Sequence, residues 1–249
     1  MKNRYKRNFL TKVIFRIDFE QAKLGQLKTL SDTEKIKKEF PINEEERGEE
    51  GMINFDFVTK AFKQASSPVI SWNLFNKNRT KKIKIHPRFL FIEYLKYKDS
   101  SELLKDINLI SDLIKNFEIK TINRLGLRYI NEIKLESKDF LNWNNYINNH
   151  LLGSLKFATS KKKNIARAMG QVVLKEENSN INFNYGIWNS NYPNEINEKT
   201  FILDFDEYSK FPLDAESLDL SATVKEFNKK IEDLFESSIK DNLRKILKT

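Results

Sequence analysis

Val13, Phe15, Ile17 and Phe19 share one parity along the chain, with Ile14, Arg16, Asp18 and Glu20 on the other. That two-residue period predicts a half-buried β-strand. A helical stretch follows, in which Ser31 and Glu34 have capping-box spacing and Pro41 stands just past the end. The Glu-rich 43–51 reads as a polar loop, and 52–60 and 69–76 as short strands separated by Ser66-Ser67-Pro68. Ile83 and Ile85 begin another strand, which turns at His86-Pro87-Arg88. Residues 89–97, FLFIEYLKY, are apolar on both parities, the pattern of a strand covered on both faces.

Asp99 and Glu102 open the clearest helix, striped by Leu103, Ile107, Ile110, Ile114 and Phe117 and widened by Leu104 and Leu113. The strand at 121–135, TINRLGLRYINEIKL, comes next. Leu125, Leu127, Tyr129, Ile133 and Leu135 share a face, and Arg124, Arg128, Glu132 and Lys134 share the opposite one. Arg124 and Arg128 stand ~13 Å apart, too far to grip one carboxylate, so each is expected to meet an acid on a neighbouring strand, such as Asp18 or Glu20. Asn131 lies on the apolar parity and needs hydrogen-bond partners if buried.

Beyond 136 the pattern restarts with a short helix at 140–152, a basic loop at 153–164, and strands at 165–176, 180–188 and 200–207. A long helix at 222–247 closes the chain, capped by Thr223 and Glu226 and lined by Val224, Phe227, Ile231, Leu234, Phe235, Leu243 and Ile246. The expected class is α+β, two mostly antiparallel sheet layers backed by helices. The expected division is an N-terminal subdomain over 1–136 and a C-terminal one over 137–249, with no Pro/Gly/Ser linker between them.

With 249 residues, 39% of them hydrophobic, and 19 Phe, the chain has the material for a large core. Cysteine is absent, which removes disulfides, thiol nucleophiles and cysteine-ligated metals. No stretch reaches the ~18 apolar residues of a membrane span. The N-terminal apolar run meets Arg16, Asp18 and Glu20 too early for a signal peptide, so a cytoplasmic protein without membrane attachment is expected.

The net charge of +9 is unevenly placed. Lys2, Arg4, Lys6, Arg7 and Lys12 form one basic cluster, and Lys77, Arg79, Lys81, Lys82, Lys84 and Arg88 a second. Lys161, Lys162, Lys163 and Arg167 form a third, opposed by the acidic block Glu44, Glu45, Glu46, Glu49 and Glu50. Such clusters suit DNA or RNA phosphates, or equally a solvated surface. Tyr5, Phe9, Trp72, Phe75 and Phe89 interleave with them and could stack on unpaired bases, or serve as core.

Catalytic signatures are scarce. His86 and His150 lack a partner motif, and the phosphate-binding glycine loops, the G-x-S-x-G elbow and the H-E-x-x-H helix do not occur. Asp204 and Asp206 point to one face of their strand and could hold Mg²⁺ if further oxygens converge. Glu132-x-Lys134 and Glu118-x-Lys120 each spell half of a nuclease signature without its Pro-Asp half. No cofactor is expected from these residues.

VIFRIDF (13–19), FLFIEYLKY (89–97), RLGLRYINEI (124–133), ILDFD (202–206) and FESSIKDN (235–242) run in order through most of the chain. Together they resemble a sporadically distributed family of uncharacterised prokaryotic proteins of about this length, Arg128, Tyr129, Ile130 and Asn131 being the most specific stretch. That family's pattern often begins with an acidic or Pro-containing segment, whereas this chain begins with a basic one. The patchy distribution resembles that of mobile accessory or defence genes, an implication by association. It implies a protein that modulates a larger effector, such as a CRISPR nuclease complex. With the scarce catalytic signatures, the abundant charge, and sheet edges or a long terminal helix suited to self-association, the expected function is a non-catalytic homodimer that binds a protein or ribonucleoprotein effector. The alternatives are a sequence-independent nucleic-acid binder and, behind it, a metal-dependent enzyme at Asp204 and Asp206.

Overall fold

The alternation at 13–19 lies at the middle of the molecule. The computed structural model describes residues 5–20, 22, 24–56, 61–114, 119–161 and 164–249. Its strands are β1 (Leu10–Phe19), β2 (Ile42–Asp56), β3 (Ala61–Phe75), β4 (Lys81–His86), β5 (Phe89–Tyr94), β6 (Thr121–Leu135), β7 (Ala168–Lys175), β8 (Ser179–Ile187), β9 (Lys199–Ser209) and β10 (Leu213–Asp214). The helices are α1 (Leu24–Ser31), α2 (Glu34–Glu39), α3 (Ser100–Ile114), α4 (Gly153–Ser160), α5 (Leu220–Ser238) and α6 (Asp241–Lys248). The chain is thus of mixed α+β class.

The described strands join in one antiparallel sheet of order β2-β3-β4-β5-β1-β6-β9-β8-β7, with β10 added beside β6. The two sheet layers expected from the sequence are therefore replaced by a single sheet. Its continuity comes from β1 and β6: β1 pairs with β5 and β6, and β6 pairs with β9, so strands on both sides of residue 136 share one ladder.

One face carries the core. Val13, Phe15 and Ile17 of β1, Leu90, Ile92 and Tyr94 of β5, Leu125, Leu127 and Ile133 of β6, and Phe201, Leu203 and Phe205 of β9 are buried. Against them pack α3, through Leu103, Ile107 and Ile110, and α5, through Val224, Phe227 and Ile231. Phe117 lies outside the described residues. The opposite parity of the central strands stays half-exposed. The second apolar parity of FLFIEYLKY is covered by cations instead of a layer, the Arg16 guanidinium lying 4.4 Å over the Phe89 ring and the Lys82 ammonium 5.2 Å over Phe91.

Several elements depart from the sequence pattern for identifiable reasons. The Glu-rich 43–51 is strand, in an unbroken hairpin of β2 with β3 that includes Pro68 opposite Glu49. Along β3, β4 reaches only Trp72–Phe75, so β3 has a single neighbour at Pro68, where a missing N–H is tolerated. The expected helix at 140–152 is largely irregular and ends in a 3-10 turn at Asn149–Leu152, with α4 falling where a loop was expected. Ser31 closes α1, its hydroxyl donating to the Lys28 carbonyl, and Thr33 stands at the start of α2.

The C-terminal helix is broken. Ile239 and Lys240 are extended, Ile239 bridges to Ile147, and the Lys240 N–H donates to the Tyr146 carbonyl. Asp219 rather than Thr223 caps α5, accepting from the Ala222 N–H at 2.9 Å, while Glu226 pairs with Lys230.

Candidate functional site

The polar residues of 121–135 resolve into a ladder across the open face. Arg128 grips Asp204 through two bonds, Nε to Oδ1 at 2.8 Å and Nη2 to Oδ2 at 2.7 Å. Arg124 reaches Asp206 at 3.0 and 3.3 Å. The partners are on β9; Asp18 is held by Arg16 at 2.6 Å on its own strand. Gly126 makes the second pair possible, because a Cβ there would lie 2.9 Å from the Arg124 Nη1. The guanidinium crosses the space a side chain would fill.

The Asp204 bond raises the pKa of Arg128. Burial raises that of Asp206, with the two arginines opposing the shift. Both acids that could have held Mg²⁺ thus face cations. Among the described residues no group of three His, Cys, Asp or Glu side chains could hold a metal ion. On the buried side, Asn131 donates to the Leu203 carbonyl at 3.3 Å, and the Tyr129 hydroxyl meets the Tyr97 hydroxyl and Asn228.

The histidines have packing and turn positions. His86 stacks on Phe89 at 4.3 Å, its Nδ1 accepts the Arg88 N–H, and burial lowers its pKa. His150 is exposed, its N–H donating to Asn148. Lys134 pairs with Glu198 at 2.7 Å, and Glu118 lies outside the described residues.

The second basic cluster is matched by carboxylates. Arg79 pairs with Glu44, Lys82 with Glu93, Lys84 with Glu46, and Arg88 approaches Glu50 at 3.6 Å. Lys81 shares the parity of Ile83 and Ile85, so it enters the core beneath α3 and meets Asp106 at 2.7 Å. It is not a surface contact. Lys77 is exposed. The acidic block lies on β2, two strands from β4, and cancels much of the field that the basic run would project. Of the first cluster, Lys2 and Arg4 lie outside the described residues, Lys12 pairs with Glu93, and Lys6 and Arg7 are exposed.

The third cluster meets aromatic rings without carboxylate partners among the described residues. Lys162 and Lys163 lie outside the described residues, but Lys161 and Arg167 are exposed. The Arg167 guanidinium lies 4.0 Å over the Trp188 ring and 4.4 Å over Tyr192. Lys161 lies 5.5 Å over Phe157 of α4. Trp188, Tyr192 and Phe157 remain 51%, 57% and 67% exposed.

Local hydrogen bonds hold this arrangement. The buried Asn189 accepts from the Asn191 N–H at 2.9 Å and donates to the Asn194 carbonyl at 2.7 Å, folding the loop so that Trp188 and Tyr192 flank one side chain. The Ile196 N–H donates to the Ile165 carbonyl, tying that loop to the segment carrying Arg167. Beside it lies a shallow depression of about 540 Å³ lined by Ala158, Asn164, Ile165, Arg167, Met169 and Tyr192.

Trp188 and Tyr192 carry no sequence signal beyond being aromatic residues in an Asn-rich loop, which is why the linear pattern does not join them to Arg167. No helix among the described residues is long and apolar enough to cross a membrane. In comparisons with known proteins, the chain matches no family model, and no curated protein matches it significantly.

Proposed function

We propose that this chain is a non-catalytic accessory protein that binds a protein or ribonucleoprotein partner, works as a homodimer, and serves prokaryotic defence, with a CRISPR nuclease complex as one such effector. The observation that carries the reading is the exposed Trp188–Arg167–Tyr192 stack. Trp, Tyr and Arg dominate the energetics of macromolecular interfaces, the rings because they combine large rigid area with a hydrogen-bonding tip and Arg because its planar fork both stacks and donates. Holding three such groups together in solvent has an apparent use only when something covers them.

Two further features agree. The acids best placed for metal chemistry, Asp204 and Asp206, are neutralised by Arg128 and Arg124. The outermost strands, β2 and β7, end the sheet and offer edges to a second copy. The defence setting rests on the resemblance in the strand and helix segments alone.

Material purified from the native host and sized by chromatography with light scattering tests the reading. A dimer bearing a co-purifying partner is expected, and W188A with Y192A should release that partner without lowering the melting temperature. A strict monomer that co-purifies with nothing contradicts it.

A further inference from the structure

The surface around Arg167 differs from the other basic clusters in what its cations face. Arg79 and Lys82 also lie over rings, but they and Lys84 each meet a carboxylate, whereas Arg167 and Lys161 lie on aromatic rings and form no ion pair among the described residues. The sequence around them is one-signed. From Phe140 to Lys175 the chain carries Lys156, Lys161, Lys162, Lys163, Arg167 and Lys175 and no Asp or Glu. A carboxylate approaches through Glu195, which accepts a hydrogen bond from the Asn164 amide.

We propose that this surface binds single-stranded nucleic acid, with bases stacking on Trp188 and Tyr192 and phosphates drawn to Arg167 and Lys161. The proposal rests on the reading that the protein acts by binding a macromolecule, and it names the class bound here. A cationic surround complements a polyanion. Exposed ring faces select unpaired bases, since the faces of paired bases are occupied within a duplex stack. Arg167 bridges both functions. Its guanidinium fixes the rings on either side and carries the charge that a phosphate would approach. The Asn164 amide beside the depression offers a donor and an acceptor for a base edge without imposing one sequence.

The fold supplies its own reporter. Trp72 and Trp143 are buried, while Trp188 is half exposed, so a change in tryptophan emission on titration reads Trp188. The full chain is titrated with fluorescein-labelled oligo-dT and oligo-U, and with a duplex of equal length, following both anisotropy and tryptophan emission. Single strands are expected to bind more tightly than the duplex and to quench Trp188. W188A and R167E should each weaken binding about tenfold or more, with unchanged thermal melts. K161Q should lower the log–log salt slope by about 0.7, and E195Q should tighten binding.

Absence of oligonucleotide binding at low salt, equal affinity for the duplex, or affinity unchanged in both W188A and R167E would overturn the proposal. If no oligonucleotide binds but a protein captured from the native host is lost in the same variants, the nucleic-acid assignment falls and the accessory-binding reading stands. If the variants release nothing either, both fall.

Discussion

Glu207 offers a quantitative check on how the sheet and α5 fit together. Its side chain is fully buried on the helix-facing side of β9. Oε1 accepts from the Ser179 hydroxyl at 2.7 Å and meets the Lys230 ammonium at 3.3 Å. Oε2 has no hydrogen-bond partner among the described residues. Burial pushes the Glu207 pKa up from 4.5 to about 7, with Ser179 and Lys230 opposing the shift.

The sign of the linkage follows. Below 4.5 the carboxyl is protonated in both the folded and the unfolded chain, so it has no differential effect. Between 4.5 and about 7 the unfolded chain releases its proton first, and stability falls as pH rises. Above that range the loss is complete. At about 1.36 kcal/mol per pH unit, the loss amounts to about 3 kcal/mol.

E207Q keeps an oxygen to accept from Ser179 and cannot ionise. It should therefore be more stable than the wild type by up to about 3 kcal/mol near pH 8 and nearly equal to it near pH 4. Urea denaturation of both proteins at stepped pH measures this, read as midpoints at constant slope. A wild-type stability that runs parallel to that of E207Q across the range would refute the placement of an ionisable Glu207 beneath α5.

Other substitutions probe the open face and the sheet edge. R128A should destabilise by about 2 kcal/mol, less than a fully buried pair costs because Arg128 is partly exposed; R124A should cost less, since Asp206 is more exposed than Asp204, and chemical denaturation ranks the two. G126A should displace the Arg124 guanidinium from Asp206, so its cost should shrink when combined with R124A, as a double-mutant cycle would show. G186A should cost about 3 kcal/mol or prevent folding, because Gly186 has φ of +131° and a Cβ there would sit 2.1 Å from the Ala168 carbonyl oxygen; a thermal melt near that of the wild type would contradict the β7–β8 pairing.

Periodic segments were legible in the sequence because parity alone decides which residues enter the core. Val13, Phe15, Ile17 and Phe19 are buried as their alternation predicts. The α3 stripe of Leu103, Ile107 and Ile110 is likewise buried, and Asp99 accepts the Ser101 and Glu102 N–H groups at the helix start. Elements set by distant contacts were not legible. The acidic run 43–51 is strand because the cations that neutralise it stand on or beside β4, some forty residues away. The break at Ile239 is decided by a bridge to Ile147.

The same limit applies to the candidate site. The pairing of two arginines with acids on a neighbouring strand followed from parity, but the choice of Asp204 and Asp206 needed the β6–β9 register. Lys81 counted as a surface cation although its shared parity with Ile83 and Ile85 already marked it as inward. Arg167 was visible as charge alone. Its two rings approach through a loop folded around Asn189, a contact that no spacing encodes.

Hydrogen exchange of the protein, alone and in the complex captured from its native host, tests the central claim most directly. Amides of 154–161, 164–170 and 186–196 should slow on binding, because a partner covering the Trp188–Arg167–Tyr192 stack shields α4 and the loops that build it. Unchanged exchange there, with protection confined to the Arg124–Asp206 face or to β2, would contradict the account.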